Sequence, residues 1–408
     1  MWKKYINVFD NIEAILISLV LSVNVLRIFL GVSDTNLLLY LVYVFALFVL
    51  YIKYHKKIVK MIKSIRSLKM SFAFIVFIIL YSIISLLWSN YESAILTCCK
   101  FIVALILAFL CIFVPSDKIK AIGVYFVLLN IIYSILCLTM MSRVTLMFGN
   151  GMNYLNATLT LGFSFSIALV SLLIAFFNKN LLLILCWISL SALFFISLLS
   201  FIARGVLIFP PIIALCMIPF IGKNHLRRTI FILGISIVIG YFAIQYFMDL
   251  ASDYGASRML RLFEDAEEED RFELWQQCSF IMIEKYWYFF GGGICAFSST
   301  IYYPHNIFLQ ILGEFGIIPL IVFLYMIITL FLKFFKLNKH VSTGGKWPLY
   351  FVFVGMLYYI LTFSKSFSLY DALPLFIMMA LLYGFHIDKA QVKPIKYETK
   401  DSRILQEM

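Results

Sequence analysis

The sequence has little charge. Only 13% of its 408 residues are Asp, Glu, Lys or Arg, against about a quarter in an ordinary soluble domain. A soluble chain of this length would need far more polar side chains to cover its surface. The composition therefore excludes a secreted enzyme, a cytosolic domain and a disordered chain. The 63% of apolar residues indicates instead a membrane protein that crosses the bilayer many times.

Several signatures of cofactor binding are also missing. No Cys-x-x-Cys pair suggests a metal site, and the run Gly291–Gly293 lacks the pattern of a nucleotide-binding loop, so it is interpreted as a flexible turn. We therefore expect no metal and no cofactor. No cleavable signal peptide is visible. Most of the eight cysteines lie in apolar runs, but Cys278 and Cys295 share one loop, and whether they pair is left open.

The apolar residues form runs close to the length of a membrane crossing, which takes about 20 residues of helix. Runs such as LLLILCWISLSALFFISLL show no alternation of polar and apolar residues, so they favour helices over the strands of a membrane barrel. The sequence predicts an all-α integral membrane fold with about twelve transmembrane helices. The predicted spans are 12–31, 36–52, 71–88, 95–114, 121–141, 158–177, 181–200, 206–221, 229–248, 306–332, 347–365 and 372–387.

The distribution of positive charge predicts the orientation of these spans. Lysine and arginine are retained on the cytoplasmic side of a membrane. With a cytoplasmic N-terminus, 24 of the 33 Lys and Arg fall in cytoplasmic segments. We therefore predict a single membrane domain over 1–408 with both termini in the cytoplasm and a cytoplasmic tail at 388–408. The net charge of +12 has the same cause and gives no reason to expect nucleic acid.

One predicted outer loop, 249–304, is much longer than the others and is the only stretch of mixed charge. Apolar residues recur in it at helical spacing, so at least one amphipathic helix is expected. A channel or transporter needs no such loop, whereas an enzyme acting on a lipid-linked substrate needs a structure that covers its active site on the outer side. The apolar positions are Leu260, Phe263, Phe272, Trp275, Cys278 and Phe280.

Three residues at the predicted outer ends could carry chemistry. His305 follows Pro304 at the mouth of a span, where it either caps a helix or accepts a proton from a hydroxyl. Arg204 stands between two apolar helices, where it either snorkels or clamps a phosphate. Arg271 lies among carboxylates, so it is either salt-bridged on a solvated helix or held in place to bind a phosphate.

Other outer residues are weaker candidates. Arg143 is a further cation at a predicted outer end. Asn153 and Asn156 lie where the fifth and sixth predicted spans meet outside, and they either shape a turn or line a sugar site. The acidic run 264–270 is interpreted as a solvated face, with positioning of a phosphate-binding arginine or binding of a cation as the alternatives.

These residues, in this order, resemble the O-antigen ligase and polymerase superfamily. Its signature is His, then Asn, Ser or Gln, nine variable positions, Gly, three more, then Gly, Thr or Tyr. The chain has His305, Asn306 and Gly316 at this spacing, but Leu320 departs from the last position. Further features similar to the family are the Ala-Arg-Gly at Arg204, an outer turn with asparagine, Arg271 followed by Trp275, and the glycine run after aromatic residues.

The resemblance implies a GT-C-like inverting glycosyltransferase. Its donor would be an oligosaccharide on undecaprenyl diphosphate at the outer face of the bacterial inner membrane. His305 would be the catalytic base. Arg204 and Arg271, with Arg143, would stabilise the diphosphate in place of a metal ion. The predicted sugar contacts are Asn153, Asn156, Asn306 and Trp275.

The resemblance leaves the acceptor open. The favoured function is an O-antigen or capsular polysaccharide polymerase, because polymerases are more numerous and diverse in sequence. Its expected partners are membrane lipids and a chain-length regulator. Alternatives with the same chemistry are a ligase that transfers the glycan to lipid A-core and a protein O-oligosaccharyltransferase. A flippase for the same lipid-linked sugar is the alternative of a different class.

Overall fold

The computed structural model describes residues 11–23, 36–64, 66–89, 92–139, 154–199, 204–221, 270–300, 303–341 and 346–386. Within these ranges the secondary structure is helical, with no strand. The α-helices there are α1 (Ile12–Leu21), α2 (Asn36–Ser64), α3 (Arg66–Ser85), α4 (Ala94–Cys111), α5 (Ser116–Thr139), α6 (Tyr154–Phe177), α7 (Leu181–Leu199), α8 (Arg204–Ile221), α9 (Asp270–Glu284), α10 (Trp287–Phe290), α11 (Ile307–Phe315), α12 (Ile317–His340), α13 (Lys346–Phe363) and α14 (Leu373–Gly384). A 3₁₀-helix, Leu369–Asp371, precedes α14.

Six of the described helices are long and apolar enough to cross a membrane. They are α4, α5, most of α6, α7, α12 and α13, and α1, α8, α14 and the second half of α3 are shorter apolar helices. A helix pairs its own backbone N–H and C=O groups, for which lipid hydrocarbon offers no hydrogen-bond partner. The protein is therefore an all-α membrane protein, as predicted. The predicted span 229–248 lies outside the described residues.

One predicted span is two helices. The apolar run 306–332 breaks at Gly316, so that α11 ends at Phe315 and α12 begins at Ile317. Gly316 has φ +90°, and a Cβ there would collide with the backbone of Phe289. The break is invisible in the hydropathy because apolar residues continue through it. As a result α11 is a short helix that is not itself a candidate span.

The most buried candidate spans are α6 and α13, and the least buried are α7 and α12. Gly162 lets α6 approach α13 and α8 closely, since a Cβ at this position would overlap the hydroxyl of Tyr358 on α13 and the side chain of Val206 on α8. The rings of Phe163 and Tyr359 lie 5.2 Å apart across the same contact. The centre of the bundle is therefore α6, α8 and α13, and α7 and α12 expose apolar flanks.

Several lysines make contacts at one end of the bundle. At this end Lys53 pairs with Glu13 at 2.5 Å, Lys118 donates to Asn11 at 2.9 Å and Lys57 donates to the carbonyl of Phe113 at 3.4 Å. The other end of α4 packs against Ile294 and Cys295. An 18-residue helix is about 27 Å long. Lysines of the segments predicted to be cytoplasmic thus lie at the end of the bundle remote from Ile294 and Cys295.

Candidate functional site

The first residues of the site lie on one face of α9. Arg271 and Trp275 are one helical turn apart. Nη1 of Arg271 donates to the carbonyl of Lys365 at 2.5 Å and to Oγ of Ser366 at 3.1 Å. Nε1 of Trp275 donates to the carbonyl of Pro304 at 2.7 Å. Helix α9 therefore bridges the segment that follows α13 and the loop that precedes α11.

His305 occupies that loop in a constrained conformation. Its φ of +52° lies in the left-handed region, which non-glycine residues rarely adopt. Its Nδ1 is buried, and its ring centroid lies 4.3 Å from that of Tyr303. The helix cap is made by the neighbour: Oδ1 of Asn306 accepts from the amides of Phe308 at 3.0 Å and Leu309 at 3.2 Å. The capping role considered for His305 thus belongs to Asn306.

The environment of His305 keeps its imidazole neutral. Burial and then the positive charge of Arg271 lower the pKa of His305 to about 4. A neutral imidazole has one ring nitrogen able to accept a proton. The site therefore places a fixed cation beside a neutral potential base.

Both hydrogen bonds of Arg271 named above are made by Nη1. A guanidinium carries five N–H donors in a rigid fork, and those on Nη2 and Nε are not used by these two bonds. Such a fork matches two oxygens of a phosphate at once. The salt-bridged alternative for Arg271 finds no carboxylate partner among the described residues, where Arg271 donates to a carbonyl and a hydroxyl. This geometry suits an anchored anion-binding arginine.

Beneath the site lies a fully buried carboxyl group, that of Glu314 on α11. Its Oε1 accepts from Nε2 of Gln310 at 3.2 Å, and its Oε2 accepts from the hydroxyl of Tyr370. Burial raises the pKa of Glu314 to about 8, although the two side-chain hydrogen bonds act in the opposite direction. The carboxyl group is therefore largely protonated at neutral pH.

Gln310 ties α11 to the segment that holds Arg271. Its Oε1 accepts from the amide of Leu369 at 2.7 Å, and its Nε2 lies 3.2 Å from Oγ of Ser368. Lys365 and Ser366, which bind Arg271, are only a few residues earlier in the same segment. Since His305 lies just before α11, these bonds fix the positions of Arg271 and His305 relative to each other.

The glycine run is held in place by the same helix. The amides of Gly292 and Gly293 donate to the carbonyls of Gly313 at 2.7 Å and Glu314 at 3.0 Å. Nε1 of Trp88 donates to the carbonyl of Gly292 at 3.1 Å, and Gly293 has φ +90°. This run is therefore a turn that docks on the C-terminal end of α11, and not a flexible one as interpreted from the sequence.

Arg204 and Asn156 lie toward the same end of the bundle. Arg204 is the first residue of α8, and Asn156 is in the first turn of α6. Val206, two residues into α8, packs with Gly162 of α6 and Tyr358 of α13. Tyr358 lies about 8 Å before the C-terminal end of α13, so the first turns of α6 and α8 lie near that end. The side chains of Arg204 and Asn156 are outside what the structure describes, as are Arg143 and Asn153 altogether.

The structure thus brings together Arg271, Trp275, His305 and Asn306. It adds Gln310, Glu314 and Tyr370, which sequence reasoning missed. Glu314 had a usable signal, because a lone carboxyl group within an apolar run is a functional candidate in a membrane protein.

Two further expectations concern cysteines and metals. Cys278 and Cys295 are both free and buried. They pack in separate apolar clusters, so the possible disulfide between them is not formed. Among the described residues, no group of three or more His, Cys, Asp or Glu could hold a metal ion.

Comparison with known proteins gives no family assignment, because no protein-family model, curated protein or solved structure matches the chain.

Proposed function

We propose that the protein is a polysaccharide polymerase, an inverting glycosyltransferase that joins repeat units carried on undecaprenyl diphosphate. The observation that supports this most is the arrangement of Arg271 and His305: a fixed guanidinium beside a buried, neutral imidazole. Transfer from a lipid diphosphate needs both, because the leaving group gains negative charge while the attacking hydroxyl loses a proton.

The proposed reaction is a single displacement. A hydroxyl oxygen of the acceptor sugar attacks the anomeric carbon of the donor sugar, and Nε2 of His305 accepts the hydroxyl proton, since Nδ1 is buried. The bond from the anomeric carbon to the diphosphate oxygen breaks, and its electron pair leaves on the diphosphate. Arg271 binds this anion, joined by Arg204 and Arg143. One displacement inverts the anomeric carbon.

Docking of the donor would also adjust the base. The charge of Arg271 lowers the pKa of His305, and a diphosphate bound to Arg271 would neutralise that effect. His305 would then become a stronger base when the donor is present. The sugar side of the site would be formed by Trp275 and Asn306, which fix the loop around His305, together with Asn153 and Asn156.

The wider proposal follows the resemblance to the O-antigen ligase and polymerase superfamily. It comprises twelve transmembrane helices in a GT-C-like arrangement, cytoplasmic termini and a site on the outer face of a bacterial inner membrane. A chain-length regulator would be a partner. The location of Lys53, Lys57 and Lys118 at the end remote from His305 supports this orientation under the positive-inside rule.

The test is the surface glycan of a deletion strain complemented with variants. His305→Ala should abolish long chains, whereas His55→Ala should leave them normal, because His55 is an exposed residue on α2 far from the site. Normal long chains with His305→Ala at equal membrane abundance would contradict the catalytic role.

The same strain separates the alternative functions. Loss of a polymerase leaves single repeat units attached to the acceptor. Loss of a ligase leaves no attached glycan, and polymer accumulates on undecaprenyl diphosphate. Loss of a flippase retains the lipid-linked unit on the cytoplasmic side, and transport by a flippase would not depend on His305.

A further inference from the structure

The segment 270–290 has an exposed apolar stripe that the site does not use. On α9, Phe272, Phe280 and Ile283 lie on one side of the helix, and Phe280 and Ile283 are 67% and 66% exposed. On α10, Phe289 and Phe290 are 51% and 81% exposed. A soluble surface rarely leaves so many large apolar side chains adjacent to one another.

The exposed side of α9 is divided into two sectors. The apolar sector also contains the exposed Gln276, and it is followed around the helix by Glu273, Gln277 and Glu284, which are exposed too. The inner side carries Cys278 and Met282, which pack against α11. An apolar sector flanked by a polar one is typical of a helix that lies in the plane of a membrane interface.

The apolar stripe is continuous with the flanks of apolar helices. The carbonyl of Phe290 accepts from the hydroxyl of Tyr81 on α3 at 2.5 Å. The backbone of Phe289 and Phe290 also contacts Gly316, directly before α12. Both neighbouring helices expose apolar side chains, which on α12 recur along one face. The exposed residues are Leu80, Ile83 and Ile84 on α3, and Ile318, Ile321, Tyr325 and Ile328 on α12.

The residues around the stripe match the boundary between hydrocarbon and headgroups. Tyr286 is 69% exposed, and Nζ of Lys285 lies 5.0 Å from the ring of Trp287. Aromatic side chains are enriched at this depth, where lysine can reach anionic headgroups. The charge and the aromatic residues therefore favour one occupant, a phospholipid bilayer, over a protein partner.

We propose that α9 and α10 lie in the membrane interface and bury Phe280, Ile283, Phe289 and Phe290 among the lipid acyl chains. This inference does not need the proposed function. If the proposed function also holds, the consequence is that Arg271 lies within about 10 Å of the lipid-facing stripe, since that is the diameter of a helix with its side chains. Arg271 would then lie near the level of the lipid headgroups, where the diphosphate of a lipid-linked substrate lies.

The test is photocrosslinking of the full-length chain in vesicles. p-Benzoylphenylalanine replaces Phe280 or Phe290 one at a time, with phosphatidylethanolamine and phosphatidylglycerol as the vesicle lipids and a tritiated acyl chain as the tracer. Gln277 is the matched control on the polar sector of α9, and Leu182, 72% exposed on α7, is the positive control. Lipid labelling is counted only in the folded fraction of the protein, which is taken from the monodisperse peak.

Lipid labelling at 280 and 290 should match that at 182 and exceed that at 277 several-fold. Labelling no higher than at 277, or crosslinks into another segment of the chain, would overturn the proposal. If either variant is lost from the folded fraction, Ile283 and Tyr286 carry the same test. Because no substrate is present, the result is independent of any glycosyl transfer.

Discussion

The guanidinium of Arg271 lies close enough to the imidazole of His305 for its charge to lower the histidine pKa. The two residues belong to different elements, α9 and the loop before α11. They are brought together by two anchors, the bonds of Arg271 to Lys365 and Ser366 and the bond from Trp275 to Pro304. The proposed chemistry depends on this pair.

The first prediction concerns the protonation of His305. Burial and then Arg271 lower its pKa to about 4, so it stays neutral until the pH falls through that value. Removing the cation in Arg271→Gln should raise the pKa of His305, but not to the ordinary value of a histidine, because the ring is still buried. Diethyl pyrocarbonate reacts with neutral imidazole, and mass spectrometry can follow its modification of the His305 peptide against pH.

The control is the exposed His55 in the same digest. Equal midpoints for His305 in the wild type and Arg271→Gln would contradict the coupling between the two residues.

The second prediction concerns stability and Glu314. The pKa of Glu314 in the folded protein, about 8, lies above the ordinary value of 4.5 for a glutamate. The folded protein therefore binds more protons than the unfolded chain between these values, and this contribution to stability is lost as the pH rises. Glu314→Gln should flatten the dependence of the unfolding temperature on pH over this window, as measured by scanning fluorimetry in detergent. A steeper dependence in the variant would be inconsistent with a protonated Glu314.

The third prediction concerns positioning. Glu314→Gln preserves a neutral side chain of the same shape, so the polymer-forming rate should stay close to wild type. Tyr370→Phe removes the hydroxyl that binds Glu314 and that accepts from the amide of Cys295 at 2.9 Å. Losing these two hydrogen bonds should cost about 1–3 kcal/mol. Unfolding temperature and donor KM of both variants check this, and a Tyr370→Phe protein as stable as wild type would contradict it.

The fourth prediction concerns the glycine turn. Gly293→Ala should destabilise the protein by about 1–3 kcal/mol, because φ is +90° and the added methyl meets the indole of Trp88. The measurement is the unfolding temperature, with Gln277→Ala at an exposed position of α9 as the control. An unchanged temperature for Gly293→Ala would show that the turn is not held as described.

Much of the fold could be predicted because it follows from local apolar runs. The sequence also singles out Arg271 and His305, since polar groups at the ends of spans are few, and the resemblance adds Trp275. The break at Gly316 was missed because the requirement for positive φ leaves no trace in hydropathy. The partners of Arg271 lie 94 and 95 residues away, and Tyr370 lies 56 residues from Glu314. Such pairs are set by tertiary packing, which no local pattern reports.

The most direct test of the central claim is turnover by the purified chain in vesicles. The substrate is the lipid-linked repeat unit extracted from the deletion strain, and mass spectrometry follows the formation of joined units. His305→Ala should slow this reaction by about 10²- to 10⁴-fold, the usual contribution of a general base, while binding of the lipid-linked donor is retained. Joined units formed by His305→Ala at the wild-type rate would contradict the account.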